Sequence, residues 1–181
     1  MNGMFAFALW DRRDRVLSLA RDRLGEKPLY YCVSPRGVLF GSEPKALAEH
    51  PEWKGEIDRD ALALYLRYGY VPDPWSIYLG VKKLAAGTYL QIPVGGDVSE
   101  PQAYWDLRAV AAQGRRQMDE ATAIAEADVA LRRAVGVRME ADVPLGAFLS
   151  GGIDSSLVVA LMQAQSTRPV KTFTIGFDTP G

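Results

Sequence analysis

The stretch Ser150-Gly151-Gly152-Ile153-Asp154-Ser155-Ser156 constrains this chain more than any other. It follows the apolar run Ala147-Phe148-Leu149, which predicts a buried strand, and precedes Leu157-Val158-Val159-Ala160-Leu161-Met162, which predicts a helix. A strand that turns through two glycines into a helix leaves several main-chain N–H groups without an intrahelical acceptor, all facing one way. Glycines let an anion approach the main chain, and serine hydroxyls add donors beside it. Each charge-assisted hydrogen bond contributes roughly 1.5–3 kcal/mol, against about 0.3–1 kcal/mol from the helix dipole. The converging donors therefore dominate, and they suit a polyphosphate. An ordinary Ser-Gly-Gly loop, with Ser155 capping a helix, accounts for the same residues.

Context bears on the choice. A second β-rich run, Lys171-Thr172-Phe173-Thr174-Ile175, follows the helix, so the unit reads strand, glycine turn, helix, strand. That is a βαβ unit of parallel-sheet type, in which ligands lie at the carboxyl ends of strands. No Gly-Lys-Ser/Thr closes the turn, which sets aside the Walker pattern, and the G-x-G-x-x-G fingerprint is also absent.

Ser150 to Ser156 resembles the pyrophosphate loop of the ATP-pyrophosphatases, whose pattern is S-G-G-x-D-S. The flanking Asp142-Val143-Pro144-Leu145-Gly146-Ala147-Phe148-Leu149 narrows the resemblance to glutamine-hydrolysing asparagine synthetases. At the other end, Gly3-Met4-Phe5-Ala6-Phe7-Ala8-Leu9-Trp10-Asp11 and Ala20-Arg21-Asp22-Arg23-Leu24-Gly25-Glu26-Lys27-Pro28-Leu29-Tyr30-Tyr31 are similar to the last part of that family's glutaminase domain. Phe40-Gly41-Ser42-Glu43-Pro44-Lys45-Ala46-Leu47 and Lys83-Leu84-Ala85-Ala86-Gly87-Thr88-Tyr89-Leu90 continue the likeness in the same order.

The resemblance implies a mixed fold, α/β and α+β. Residues 1–106 would be the C-terminal part of an N-terminal-nucleophile glutaminase αββα sandwich (a glutamine amidotransferase type 2 domain). Residues 107–118 would be a linker, and residues 119–181 the start of a Rossmann-like parallel-sheet ATP-pyrophosphatase domain. The implied reaction adenylates the side-chain carboxylate of aspartate with ATP, releases pyrophosphate, and displaces AMP with ammonia from glutamine. ATP and Mg2+ are the implied cofactors, and aspartate, glutamine and ATP the small-molecule partners. The intact enzyme could be a homodimer, and the implied compartment is cytoplasmic. Nucleotide and pyrophosphate contacts fall on Leu149, Ser150, Gly151, Gly152, Asp154, Ser155, Ser156 and Ile175. A bare carboxylate repels phosphate, so Asp154 makes sense as a ligand of a divalent cation bridging to it. As a first-turn aspartate it would equally favour the positive end of the helix. Leu149 and Ile175 would flank adenine, or else are plain core.

Two departures shape the expectation. The family's glutaminase uses a cysteine at the mature N-terminus, whereas this chain begins Met1-Asn2-Gly3, and its one cysteine, Cys32, lies in a predicted strand as a core residue. Glutamine hydrolysis by this polypeptide alone is then not expected. Phe177-Asp178-Thr179-Pro180-Gly181 stops after the second strand of the nucleotide-binding sheet, ahead of the family's aspartate-binding segments. The chain reads as an internal fragment whose catalytic residues cannot be assigned. Relatives with this loop adenylate other carboxylates, amidating them or closing a β-lactam ring. An inactive nucleotide-binding module is the non-enzymatic alternative.

Composition excludes other classes. Lys and Arg number 21 against 22 acids, so no net field favours nucleic acid or an anionic membrane. No apolar run reaches the ~20 residues of a membrane span. One cysteine rules out an internal disulfide framework and suits a reducing compartment.

The first hundred residues read as hairpins. Residues 4–10 predict a strand with apolar residues on both faces, hence a sheet covered on each side, paired with residues 16–20 across a charged turn. Residues 29–33 and 38–41 pair across Ser34-Pro35-Arg36-Gly37. A helix over residues 60–68, capped by Asp58, should bury Leu62, Tyr65 and Leu66. Residues 70–76, with two prolines, form a loop, and residues 88–93 a strand before the Gly95-Gly96-Asp97 turn. Ile124, Ala127, Leu131, Ala134 and Val135 give residues 119–139 an amphipathic helix suited to packing on the parallel sheet. Arg21, Asp22 and Arg23 read as a turn that fixes a strand connection rather than a substrate clamp, and His50 as a surface residue at a helix end.

Overall fold

The first hairpin follows the apolar pattern. In the computed structural model, which describes residues 3–34, 37–51, 53–95 and 98–176, β1 (Ala6–Asp11) pairs antiparallel with β2 (Val16–Arg21) from Ala6↔Arg21 to Asp11↔Val16. The Asp11 carboxylate closes the charged turn by accepting from the N–H groups of Arg13 and Asp14 at 2.8 and 3.0 Å. Thr88–Pro93 (β6) pairs with β2, and Gln102–Ala103 (β7) extends the sheet to the order β1-β2-β6-β7. A second antiparallel sheet is built from β3 (Tyr30–Ser34), β4 (Gly37–Gly41) and β5 (Lys82–Lys83), in the order β4-β3-β5. Leu19, Leu90 and Ile92 of the first sheet share one core with Leu29, Tyr31 and Leu84. Each such side chain contributes roughly 1.5–3 kcal/mol on full burial.

Three helices complete this part, α1 (Pro44–Ala48), α2 (Arg59–Tyr68) and α3 (Leu107–Ala112). Asp58 caps α2 as its residue type dictates, accepting from the N–H groups of Asp60 and Ala61 at 2.9 and 3.0 Å. Gly69, at φ 76°, ends the helix by donating to the Tyr65 carbonyl at 2.8 Å. His50 is exposed just past α1, as expected.

Several expectations need correction. On α2 only Ala61 is buried, while Leu62, Tyr65 and Leu66 are exposed. The apolar stripe is present, but nothing among the described residues covers it. Likewise β1 is an edge strand with Leu9 and Trp10 exposed, not a strand covered on both faces. Cys32 is half-buried rather than core. The segment expected as linker begins with α3, capped by Asp106 through the Arg108 N–H at 2.6 Å. Pro35, Arg36, Gly96 and Asp97, from two expected turns, lie outside the described residues.

Arg21 and Asp22 do fix a strand connection. The Asp22 side chain, in a residue 1% exposed, accepts from the N–H groups of Lys27, Glu26, Leu24 and Phe5 at 2.9, 3.0, 3.2 and 3.3 Å. Arg21 donates to the carbonyls of Lys27, Gly25 and Leu84 at 2.9, 2.8 and 2.7 Å and pairs with Asp73 at 2.9 Å. Tyr104 adds its hydroxyl to the Arg21 carbonyl at 2.7 Å. A buried guanidinium is tolerated because its donors are matched by acceptors.

The chain divides into two compact units, Met1–Gly114 and Arg115–Gly181. The second holds α4 (Glu120–Gly136), β8 (Gly146–Phe148), α5 (Ile153–Ala164) and β9 (Lys171–Phe173). β8 and β9 pair in parallel from Gly146↔Lys171 to Phe148↔Phe173. The amphipathic helix is present, capped by Asp119, but its chief contacts are with α5, and Ile124 and Leu131 stay exposed. The apolar run 147–149 is extended yet not buried: Phe148 is 74% exposed, because no layer covers that face among the described residues. The protein is thus mixed α/β, with antiparallel sheets in the first unit and a parallel pair in the second. No helix among the described residues is long and apolar enough to cross a membrane.

Candidate functional site

The glycine turn between β8 and α5 has the connectivity its sequence predicts. Gly151 sits at φ +81°, a left-handed conformation that a side chain would strain. Gly152 caps α5 at φ −75° and ψ 162°. That conformation suits any residue, and a Cβ there would meet nothing nearer than Ser150 Oγ at 3.6 Å. Neither backbone nor neighbours require glycine at 152; its effect is to leave the main chain bare on that side.

The first intrahelical bond of α5 runs from the Ser156 N–H to the Gly152 carbonyl at 3.1 Å. The N–H groups of Ser150, Gly151, Gly152, Ile153, Asp154 and Ser155 meet no acceptor among the described residues. Ser150, Gly151, Gly152, Ile153 and Asp154 are exposed, so the turn is open rather than covered by side chains. Uncommitted N–H groups at an open helix start are the arrangement that receives anions.

The serines are linked to one another. Ser155 Oγ donates to the Gly152 carbonyl at 3.1 Å, and Ser150 Oγ lies 3.1 Å from Ser155 Oγ. With its one proton spent on Gly152, Ser155 can only accept from Ser150. Ser155 sits in the first turn, so the cap residue is Gly152 and not a serine. Ser156 is exposed one position further along.

Leu149 is half-buried and follows β8 directly, with its N–H on the Phe173 carbonyl at 2.9 Å. Ile175 lies two residues beyond β9 and is 71% exposed, so it neither ends that strand nor joins a core. Sequence reasoning did not single out Thr174, whose hydroxyl donates to the Leu149 carbonyl at 2.6 Å. Its signal was available in outline: a threonine near the end of the second strand of a βαβ unit, beside the turn that follows the first.

Asp154 is an exposed carboxylate in the first turn of α5. No group of three or more His, Cys, Asp or Glu side chains that could hold a metal occurs among the described residues. A magnesium ion at Asp154 would therefore take its other oxygens from water and phosphate, which suits an ion that dehydrates reluctantly.

Comparison with known proteins agrees with both units. Residues 1–105 match the glutamine amidotransferase domain family, and residues 126–181 match asparagine synthase. The chain is 38% identical over 182 residues to asparagine synthetase [glutamine-hydrolyzing] 1 of Bacillus subtilis, covering all of this chain and 28% of that protein. It is also 38% identical over 180 residues to putative asparagine synthetase [glutamine-hydrolyzing] 2 of Methanocaldococcus jannaschii, covering 98% of this chain and 34% of the relative. Amidase chyE of Penicillium rubens is 34% identical over 194 residues, with 98% and 28% covered. The chain belongs to the glutamine amidotransferase domain family through its first part, and over its whole length it is similar to glutamine-hydrolysing asparagine synthetases. It spans about a third or less of the length of these relatives.

Proposed function

We propose that the protein carrying this chain makes asparagine, using ATP to activate the side-chain carboxylate of aspartate and glutamine as the source of nitrogen. Residues 1–106 belong to its glutaminase domain, residues 107–118 join the domains, and residues 119–181 open a Rossmann-like ATP-pyrophosphatase domain. In the first step a carboxylate oxygen bonds to the α-phosphorus of ATP. The bond from that phosphorus to the bridging oxygen breaks, and pyrophosphate leaves with the electron pair. Ammonia then adds to the acyl carbon and AMP departs.

The difficulty of the first step is the charge accumulating on pyrophosphate. Donors fixed before the reaction stabilise that charge without having to reorganise. On this reading Ser150, Gly151, Gly152, Ser155 and Ser156 line the pyrophosphate, and Leu149 and Ile175 lie near the adenine. Asp154 would hold Mg2+, which neutralises phosphate charge when bound. The observation that carries the proposal is the row of uncommitted N–H groups at the bare Gly152 end of α5.

The test is Asp154→Ala in the intact enzyme carrying this loop. Aspartate-dependent pyrophosphate release should vanish while glutamine hydrolysis persists; near-normal pyrophosphate release would overturn the metal role. The alternative is a related amidotransferase that activates a different carboxylate at the same turn. A panel of acids assayed for pyrophosphate release separates the two.

A further inference from the structure

We infer that Thr174 is a positioning residue for the pyrophosphate turn: its hydroxyl aims the first main-chain donor, the Ser150 N–H, by holding the Leu149 carbonyl. The inference rests on the proposed adenylation chemistry but concerns a residue outside the glycine motif.

In a parallel ladder, the residue following Phe148 should donate its N–H to one carbonyl of the partner strand and receive an N–H two residues further along. Leu149 makes the first of these bonds, to the Phe173 carbonyl at 2.9 Å. The second would come from the Ile175 N–H. That backbone bond is absent among the described residues, where β9 ends at Phe173. The Thr174 side chain takes its place at 2.6 Å. Both polar groups of Leu149 are therefore tied to the neighbouring strand, one by backbone and one by a hydroxyl.

The consequence follows from the peptide bond. The Leu149 carbonyl and the Ser150 N–H belong to one planar trans unit and point in opposite directions. A hydroxyl that draws the carbonyl toward β9 turns the N–H away from it. Ser150 is the first residue of the turn, and its N–H has no acceptor among the described residues. Without Thr174 the peptide unit could rotate, and the donor would lose its fixed direction. Transition-state stabilisation by preorganised donors depends on that direction.

The experiment compares Thr174→Val, which keeps the shape but loses the hydroxyl, with Thr174→Ser, which keeps the hydroxyl. Both are made in the intact enzyme and assayed for aspartate-dependent pyrophosphate release and for glutamine hydrolysis. Thr174→Val should lower kcat for pyrophosphate release about fivefold to tenfold, the scale of one hydrogen bond. KM for aspartate and the rate of glutamine hydrolysis should not change, and Thr174→Ser should restore kcat. A readout independent of the chemistry is amide hydrogen exchange at Leu149, whose N–H is held on the Phe173 carbonyl and which should quicken in Thr174→Val alone. Unchanged exchange and unchanged kcat in Thr174→Val would overturn the positioning role while leaving the adenylation proposal standing. Equal loss in both variants, or parallel loss of glutamine hydrolysis, would also overturn it. Faster exchange in an enzyme that releases no pyrophosphate even unsubstituted would uphold the geometry and overturn the adenylation reading.

Discussion

Asp22→Ala should be among the most damaging single changes in the first unit, although the residue touches no proposed substrate. Its carboxylate receives the Lys27 and Glu26 N–H groups at 2.9 and 3.0 Å, with Leu24 and Phe5 more distant at 3.2 and 3.3 Å. Counting only the two short bonds, at roughly 1.5–3 kcal/mol each for a charged acceptor, the loss is about 3–6 kcal/mol. A typical domain has about 5–15 kcal/mol in all. Urea unfolding followed by tryptophan fluorescence isolates the effect, because all four tryptophans, Trp10, Trp53, Trp75 and Trp105, lie within Met1–Gly114. With a urea slope of about 1–3 kcal/mol per molar, the midpoint should fall by more than about 1 M. Asp22→Asn should fall nearly as far, since its amide would turn N–H donors toward N–H donors. A midpoint shift below about 0.3 M in Asp22→Ala would refute the reasoning, showing that water or a relaxed loop satisfies those amides.

Two further outcomes follow from the same part of the fold. Burial alone would raise the Asp22 carboxyl, but the N–H groups of Lys27, Glu26, Phe5 and Leu24 outweigh it and hold the group below the usual carboxylate value. Its stabilisation is then complete above the unfolded value of about 3.9 and lost as pH falls through the folded value, so Asp22→Ala should show a shallower decline in acid titration of stability below about pH 4. Gly87→Ala places a Cβ 2.4 Å from the Trp105 carbonyl oxygen at φ +67°. The left-handed conformation costs about 1–2 kcal/mol before the clash with main chain is counted. A thermal melt should therefore show a loss above about 2 kcal/mol, and a loss under about 0.5 kcal/mol would contradict the geometry.

What the sequence could reveal depended on how local the cause was. The strand at Thr88–Pro93 and the Asp58 cap were legible because alternation and cap chemistry act over a few residues. α3 was missed because small residues in Leu107–Ala112 read as linker, although Asp106 before Leu-Arg-Ala-Val-Ala-Ala is a helix start with good formers behind it. The stripe of Leu62, Tyr65 and Leu66 shows the opposite failure: periodicity reports which residues are apolar, not whether anything covers them. β5 and β7, two residues each, carry too short a pattern to detect. At the glycine turn, residue types alone indicated the open donors. The Thr174 bond to Leu149 spans 25 positions and required the strands to be paired first.

The cluster around Arg21 has a consequence for how the protein is made. Its hydrogen bonds reach partners 52, 63 and 83 positions further along the chain. At a translation rate of about 5–20 residues per second, the Tyr104 hydroxyl emerges roughly 4–17 s after Arg21. Early in that interval the guanidinium has only the Gly25 and Lys27 carbonyls, before Asp73 and Leu84 are made, and throughout it the Arg21 carbonyl lacks the Tyr104 hydroxyl. Closure of this region on the ribosome therefore waits for the arrival of Tyr104, however early its first two strands can pair.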